Sequence, residues 1–185
     1  KEQIESELNE LQNKDTHVES LREEIETVKQ KAFNEAKKLT EIRKKTAKKL
    51  EQEIKRELND LYLQNATFKV DFSPSTQLHQ NGMDEVSFLI STNIGEPLKD
   101  LSKVASGGEL SRMMLALKKI FAKHDRINTV IFDEIDTGVS GRVAQAIAEK
   151  MYEISKSTQV LCITHLPQVA AMAHEHLLIE KEAKN

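Results

Sequence analysis

The stretch VASGGELSR occupies residues 104–112 and leads directly into the apolar run MMLALKKIF at residues 113–121. Two adjacent glycines, Gly107 and Gly108, let the backbone approach a ligand without a Cβ in the way. The helix that the apolar run predicts would point its free N–H groups and the positive end of its dipole at that ligand, which suits phosphate. Taken alone, the same residues also fit an ordinary Ser-capped helix that follows a glycine turn.

The composition predicts an elongated protein rather than one compact globule. Of its 185 residues 31% are charged, only 4% are aromatic and Trp is absent, which suits a long solvated helix attached to a smaller core. The single cysteine, Cys162, excludes an internal disulfide and fits a reducing compartment. Because the sequence has no signal peptide and no long apolar run, we expect a cytoplasmic protein without membrane contact. The net charge of −3 gives no global signal for nucleic acid, so any such surface must be local.

Residues 1–65 predict a long coiled-coil helix. They contain no Gly and no Pro, and apolar residues recur at steps of mostly three and four with charges of both signs between them. Residues 13–16 are either a break, with Asp15 capping a new helix, or a polar part of the seam. Such a stripe cannot be buried alone, so we expect a partner helix in a further part of the protein or in a second molecule. The chain starts without Met inside this pattern and is therefore expected to be a piece of a longer protein.

The second half of this helix carries a stripe of positive charge. Its basic residues fall within about 140° of the helical wheel, and only Glu41 interrupts them. A solvated coiled-coil face is one interpretation. The other is contact with the phosphate backbone of DNA, because solvated faces usually mix charges of both signs. The candidate DNA-binding residues are Lys37, Lys38, Lys44, Lys45, Lys48, Lys49, Lys55 and Arg56.

Beyond residue 65 the hydrophobic period changes and predicts an α/β domain over residues 66–185. Two alternating stretches predict an antiparallel hairpin with a long connection, and the following order of helix, strand, helix and strand implies a largely parallel sheet. The expected strands are 66–72, 85–91, 129–132, 159–163 and 176–180, with the two central apolar strands buried, and the expected later helices are 140–157 and 166–172.

Polar residues follow two of these strands at the point where each strand ends. Asp133-Glu134 follows the first, and Thr164-His165 follows the second. Ligands of such sheets bind beyond the carboxyl ends of the strands, and P-loop nucleoside triphosphatases place a magnesium carboxylate beside a water-activating group in this way. A loop cap and a histidine satisfied by backbone are the simpler explanations for each pair alone. Their joint occurrence after Ser-Gly-Gly-Glu favours a nucleotide site.

These motifs resemble those of a known family. SGGE at residues 106–109, IFDE at 131–134 and TH at 164–165 resemble the signature, Walker B and switch-histidine motifs of ABC-type ATPases, and the upstream coiled coil resembles the SMC-like branch. VASGGELSR, FDEIDTGVSG and CITHLPQVA are similar to the RecN family of bacterial DNA repair ATPases. The resemblance covers the chain from about residue 85 onward.

The resemblance implies an α/β fold, the C-terminal lobe of an ABC-type ATPase head preceded by a long coiled-coil helix. It also implies a function in recombinational repair of double-strand breaks, through ATP-driven engagement of two heads on DNA. Another SMC-like chromosome-organising or repair ATPase is one alternative. A non-catalytic coiled-coil structural adaptor is the other.

The resemblance also implies roles for single residues. Asp133 would hold Mg²⁺, Glu134 would polarise the attacking water, and His165 would contact the γ-phosphate of ATP. The signature residues would bind the ATP held by the opposite subunit of a homodimer, and a D-loop would cross the dimer interface. The signature residues are Ser106, Gly107, Gly108 and Glu109, and the D-loop residues are Asp136, Thr137, Gly138, Val139 and Ser140.

No Gly-x-x-x-x-Gly-Lys-Ser/Thr phosphate loop occurs in the sequence, although an ATPase of this type needs one. In the SMC-like plan that loop lies in an N-terminal lobe before the coiled coil, and the two lobes meet when the coiled coil folds back. The resemblance implies that the complete protein, which would contain this loop, is a nucleoid-associated ATPase. The chain alone is expected to bind ATP poorly and not to hydrolyse it.

Overall fold

A computed structural model describes residues 2–104, 108–125, 127–133 and 135–179. Helix α1 (Glu2–Asp60) is followed by strands β1 (Thr67–His79), β2 (Gly82–Ser91) and β3 (Lys99–Asp100) and a 3-10 turn (Leu101–Lys103). The later elements are α2 (Gly108–Asp125), β4 (Thr129–Asp133), α3 (Gly141–Ser155), β5 (Gln159–Ile163) and α4 (Pro167–Ala170). Over these described residues, no helix combines the length and the apolar character that a membrane crossing requires.

The chain divides into two compact units. The first comprises Lys1–Ala47 and Phe72–Val86, and the second comprises Lys48–Asp71 and Ser87–Asn185. The division predicted from the sequence, a coiled coil over residues 1–65 and a head lobe over 66–185, stays a prediction.

Helix α1 runs without a break through residues 13–16, so Asp15 does not cap a new helix. The apolar seam residues Val18, Leu21, Ile25 and Val28 are exposed. This exposure is expected for a coiled-coil strand whose partner helix comes from another segment or another molecule.

Helix α1 ends in a Schellman motif within the second unit. Tyr62 has a positive φ of 60°, its N–H donates to the Asn59 carbonyl at 3.1 Å, and the Leu63 N–H donates to the Leu58 carbonyl at 2.9 Å. Glycine usually occupies the left-handed position of this motif. Leu58 and Leu63, which occupy the two positions that usually make the apolar contact of this motif, are both buried.

The hairpin of β1 and β2 turns tightly at Gln80–Asn81, so the predicted long connection is wrong. Strand β1 continues through Ser73 and Pro74 as far as His79. Proline lacks the N–H that a central strand needs, but β1 lies at the edge of the sheet order β1-β2-β3, where proline is tolerated.

Within the first unit, a half-buried polar contact fixes the hairpin tip to α1. The Thr40 hydroxyl lies 2.9 and 2.7 Å from Oδ1 and Oδ2 of Asp84, and Arg43 Nη1 lies 3.4 Å from Asp84 Oδ2. Gly82 turns with a φ of +102°, and a Cβ there would stand 3.1 Å from Leu39 Cδ2. Glycine at this position therefore serves both the turn and the close approach to the helix.

The second unit contains the parallel strands β4 and β5, which pair in register from Thr129↔Gln159 to Asp133↔Ile163. These strands were predicted correctly. Helix α3 buries Ile147, Met151 and Ile154, three of the inward residues that the sequence predicts.

One face of this two-stranded sheet is not covered by the described residues. Val130 and Phe132 are buried on one face, whereas Ile131, Leu161 and Ile163 on the other face are 64%, 45% and 55% exposed. The expectation that both strands are fully buried is therefore wrong for this face. Apolar residues at such positions predict that a further layer covers the sheet.

The predicted last strand is wrong as far as it is described, because residues 176–179 form no strand. Leu177, Leu178 and Ile179 are exposed. A strand needs a neighbour to accept its backbone hydrogen bonds, and the described part of the chain provides none at this position.

The end of α1 is joined to α3 by a network of ion pairs within the second unit. Lys150 Nζ lies 2.8 Å from Glu57 Oε2 and 2.6 Å from Asp60 Oδ2, and Lys119 bonds the same Glu57 at 2.8 Å. Burial alone lowers the pKa of Lys150, but hydrogen bonds to Asp60 and Glu57 outweigh it, so that the net pKa lies above its ordinary value. This network connects the C-terminal end of α1 to α3.

We expect Lys150→Met to lower the free energy of unfolding by about 2 kcal/mol, because Glu57 and Asp60 lose a buried partner while Glu57 keeps Lys119. Since the pKa of Lys150 is raised on folding, its contribution is fully present below the unfolded lysine pKa of about 10.4 and is lost as the pH rises through the folded value. Denaturant unfolding between neutral pH and pH ~10 should therefore show a constant deficit. In the control Lys156→Met, which removes an exposed lysine beside Tyr152, the loss should stay below about 1 kcal/mol. Equal losses in both variants would contradict the role given to the network.

Candidate active site

The carboxyl ends of β4 and β5 bring the predicted site residues to one edge of the parallel sheet. Asp133 is the last residue of β4, pairs with Ile163 of β5 and has an exposed side chain. Thr164 and His165 follow Ile163 directly. The register thus places the predicted metal carboxylate and the predicted switch histidine at the same edge, where ligands of parallel sheets bind.

Asp136 is the buried centre of this edge. Its side chain is 0% exposed, and its Oδ2 accepts a short hydrogen bond from the Thr164 hydroxyl. Thr164 Oγ1 in turn accepts from the Leu166 N–H at 3.0 Å. Two loops, one after each strand, are therefore held together by one carboxylate. The sequence placed Asp136 in a D-loop and did not predict an inward side chain.

His165 lies at the rim of the same cluster. Its side chain is 67% exposed, and its Nδ1 lies 3.8 Å from Asp136 Oδ1. Among the described residues, Asp136 Oδ1 has no hydrogen-bond partner. The ring thus presents most of its surface to solvent, while its Nδ1 atom lies on the side of the carboxylate.

Carboxylates give this edge a negative potential. Burial, followed by the charges of Asp136 and Asp133, raises the pKa of the Cys162 thiol to about 11. The thiol is therefore protonated at neutral pH and does not act as a nucleophile. A negative, oxygen-rich edge is the environment that Mg²⁺ prefers.

The described residues hold no group of three or more His, Cys, Asp or Glu that is placed to bind a metal. Mg²⁺ usually takes only one or two protein carboxylates and completes its shell with phosphate oxygens and water. Asp133, an exposed carboxylate at a strand end, fits that pattern. Glu134 lies outside the described residues, and its role as the water-polarising base stays a prediction.

The described part of the signature begins with Gly108 at the first position of α2. A Cβ on Gly108 would stand 2.9 Å from the Thr137 carbonyl oxygen, so glycine allows this helix end to touch the predicted D-loop. Arg112 Nε donates to the Gly108 carbonyl at 3.3 Å, and burial lowers the pKa of Arg112. Glu109 is half-buried in the first turn. Ser106 and Gly107 lie outside the described residues.

The rest of the predicted D-loop forms the connection between Asp136 and α3. Thr137, Gly138 and Ser140 are exposed and Val139 is half-buried. The Val139 N–H donates to the Asp136 carbonyl at 3.3 Å, which closes the turn. A role for this segment at a dimer interface stays a prediction.

The basic residues of α1 differ in how they are engaged. Lys37 lies over the Phe33 ring, Lys38 pairs with Glu35, and Lys55 Nζ donates to the carbonyls of Gln64 and Ala66 at 2.6 and 3.0 Å. The other predicted DNA contacts are exposed, and within the described ranges no ion pair engages them. These free cations are Lys44, Lys45, Lys48, Lys49 and Arg56.

The chain is similar over nearly its whole length to bacterial DNA repair proteins named RecN. The chain is 53% identical over 197 residues to the DNA repair protein RecN of Bacillus subtilis strain 168, an alignment that covers 98% of this chain and 34% of that protein. It is 51% identical to RecN of Halalkalibacterium halodurans, covering 97% of this chain and 32% of that protein. The chain thus spans about a third of the length of these relatives and matches their C-terminal part. No family model matches the chain.

Comparison with solved structures supports the fold. The Smc head domain with a coiled coil and joint from Pyrococcus yayanosii is similar with a TM-score of 0.53 and 18% identity, covering 72% of this chain and 24% of that chain. The predicted fold, a mixed α/β head lobe with a long helix and an antiparallel hairpin, is confirmed.

Proposed function

Because the chain matches the C-terminal part of RecN proteins over nearly its whole length, we propose that it is the C-terminal head lobe and one coiled-coil strand of a DNA repair ATPase that acts on double-strand breaks. The observation that carries this proposal is the cluster of Asp133, Asp136, Thr164 and His165 at the carboxyl ends of two parallel strands. Residues 1–65 form the stalk in this proposal, and residues 66–185 form the lobe.

In the proposed reaction this lobe supplies one half of an ATP site. Asp133 would hold Mg²⁺, which would neutralise phosphate charge. Glu134 orients and polarises the attacking water, and His165 approaches the γ-phosphate from the end of β5. Phosphoryl transfer needs positioning and charge stabilisation more than covalent chemistry. The His165 ring would serve the first, and the Mg²⁺ that Asp133 would hold would serve the second.

A second copy supplies the opposite wall of the site in a homodimer of heads. Ser106, Gly107, Gly108 and Glu109 of one head approach the ATP of the other, where the end of α2 offers backbone N–H groups to phosphate. The contact between Gly108 and Thr137 supports this arrangement, because it joins the signature to the segment proposed to cross the interface.

An N-terminal lobe completes each head. We propose that it brings the phosphate loop and covers the exposed face of Ile131, Leu161 and Ile163. The exposed Leu177–Ile179 segment becomes a strand when that lobe provides a neighbour for it. Without this lobe the chain binds ATP weakly and does not hydrolyse it.

DNA binds to the free cations of α1 in this proposal. For the full-length protein we expect the pair Lys48→Glu and Lys49→Glu to weaken DNA binding at least about tenfold, and to reduce the slope of log affinity against log salt by about 2. The pair Lys44→Glu and Lys45→Glu should act alike. Fluorescence anisotropy with a duplex at several salt concentrations measures both quantities.

The control for this experiment is the pair Lys29→Glu and Lys31→Glu, which reverses two exposed lysines of the same helix on the N-terminal side of the stripe. Its DNA affinity should remain within about twofold of the unmodified protein. Equal losses in the control and stripe variants would show that only overall charge matters. Unchanged binding in the stripe variants would make the stripe a solvated face.

A further inference from the structure

Asp136 carries a polar atom that the fold buries without satisfying. The carboxylate is 0% exposed, Oδ2 accepts from Thr164, and Oδ1 has no hydrogen-bond partner in the described ranges. Burying a carboxylate oxygen without a hydrogen-bond donor costs more free energy than burying a neutral acceptor without one. Unsatisfied groups of this kind are uncommon in folded proteins and call for an explanation.

The group nearest to this oxygen in an ion-pair geometry is the His165 ring. Nδ1 lies 3.8 Å from Oδ1, which is too long for a hydrogen bond. A displacement of the ring by about 1 Å toward the carboxylate would bring the two atoms to bonding distance. His165 directly follows Thr164, which is already bound to the other oxygen of the same carboxylate, so the backbone on one side of the ring is anchored.

We propose that Asp136 is a positioning residue for His165. It accepts a hydrogen bond from Nδ1–H when the site closes on nucleotide, and it thereby turns the Nε2 edge of the ring toward the ligand. This inference rests on the proposed function, in which His165 approaches the γ-phosphate.

The chemistry of the two side chains fixes the direction of this bond. An ionised carboxylate only accepts, so the Nδ1 atom must carry the proton. The hydrogen bond at Nδ1 then leaves Nε2 without a proton and fixes the direction in which Nε2 points, as in other histidine sites. The open distance in the structure is consistent with this role, because catalytic hydrogen bonds are often long before ligand binds and shorten in the complex.

The test is a double-mutant cycle on ATP hydrolysis by the full-length protein. Asp136→Asn keeps the size of the side chain and an acceptor for Thr164, and should lower kcat about tenfold or more while KM for ATP stays within about twofold. His165→Ala should lower kcat at least as much. If Asp136 acts through the ring, the double variant should be no slower than His165→Ala alone, because coupled residues are not additive.

A control separates positioning from a general effect of removing a charge. Glu149→Gln neutralises an exposed carboxylate on α3 and should leave kcat unchanged. Thermal unfolding of each variant reports whether the fold is kept. Should Asp136→Asn fail to fold, Asp136→Ser offers Thr164 a smaller acceptor and enters the same cycle.

The outcomes divide clearly. The positioning role is wrong, and the proposed function stands, if His165→Ala lowers kcat but Asp136→Asn does not. The same holds if the double variant is slower than His165→Ala by the full factor of the Asp136→Asn variant. If His165→Ala leaves kcat unchanged, the role of His165 in the proposed function fails, and the inference fails with it. Loss of folding in both Asp136 variants, with His165→Ala folded, would give Asp136 a purely structural role and overturn the inference.

Discussion

Glu134→Gln in the full-length protein should lower ATP turnover by at least about a hundredfold while ATP still drives the association of the heads. Glutamine keeps the size of the side chain but cannot polarise water as a base. Asp133, the last residue of β4, is unchanged in this variant and remains available for Mg²⁺. The nucleotide contacts proposed for the residues around Glu134 should therefore be retained.

Steady-state phosphate release measures the loss, and size-exclusion chromatography with light scattering in the presence of ATP measures head association. The matched control is Glu175→Gln, an exposed glutamate outside the proposed site, which should behave like the unmodified protein. Normal turnover by Glu134→Gln would remove Glu134 from its proposed role. Loss of both turnover and ATP-dependent association would mean that the residue acts in binding instead.

The double variant Ile131→Glu and Leu161→Glu should destabilise the full-length protein much more than the chain by itself. In the full-length protein we expect a loss of about 3–5 kcal/mol in the free energy of unfolding, because two charges would be buried under the N-terminal lobe without partners. In the chain by itself the two residues are 64% and 45% exposed, so the loss should stay below about 1 kcal/mol.

Denaturant unfolding of both forms measures this difference. Ile94→Glu is the control, since Ile94 is an exposed apolar residue in the turn that precedes Gly95 and should tolerate glutamate in both forms. If the double variant were as stable as the unmodified full-length protein, the exposed sheet face would not be the surface that the N-terminal lobe covers.

The strands and helices with strong hydrophobic periodicity could be predicted from the sequence. The apolar residues of β4 and β5, and the inward residues of α3, are sufficient to predict these three elements. The rule that ligands bind at strand ends then singled out Asp133 and His165, which the strand register places at the same edge of the sheet. The hairpin was predicted less well because Ser73 and Pro74 resemble turn residues, whereas an edge strand tolerates them.

The remaining wrong predictions concern the neighbours of a strand in the folded protein rather than the residues of the strand itself. His176–Ile179 has strand-forming residues, but a strand also needs a neighbour, and sequence periodicity carries no information about that neighbour. Ile131 and Leu161 were expected to be buried for the same reason. Tyr62 takes the left-handed conformation that glycine usually adopts at a helix end, and the inward side chain of Asp136 depends on Thr164, which is distant in the sequence, so neither has a local sequence signal.

The central claim is that each ATP site is built from the strand-end residues of one head and the signature of another. Mixing two inactive full-length variants, Glu134→Gln and Ser106→Arg, under conditions of subunit exchange tests it most directly. Each homodimer has two defective sites, whereas a mixed dimer has one site with both defects and one intact site. The equimolar mixture should therefore recover about a quarter of the normal ATP turnover, because half of its dimers are mixed and each has one working site. If turnover in the mixture stays at the level of the separate variants, the two sets of residues serve the same site within one head and the account is contradicted.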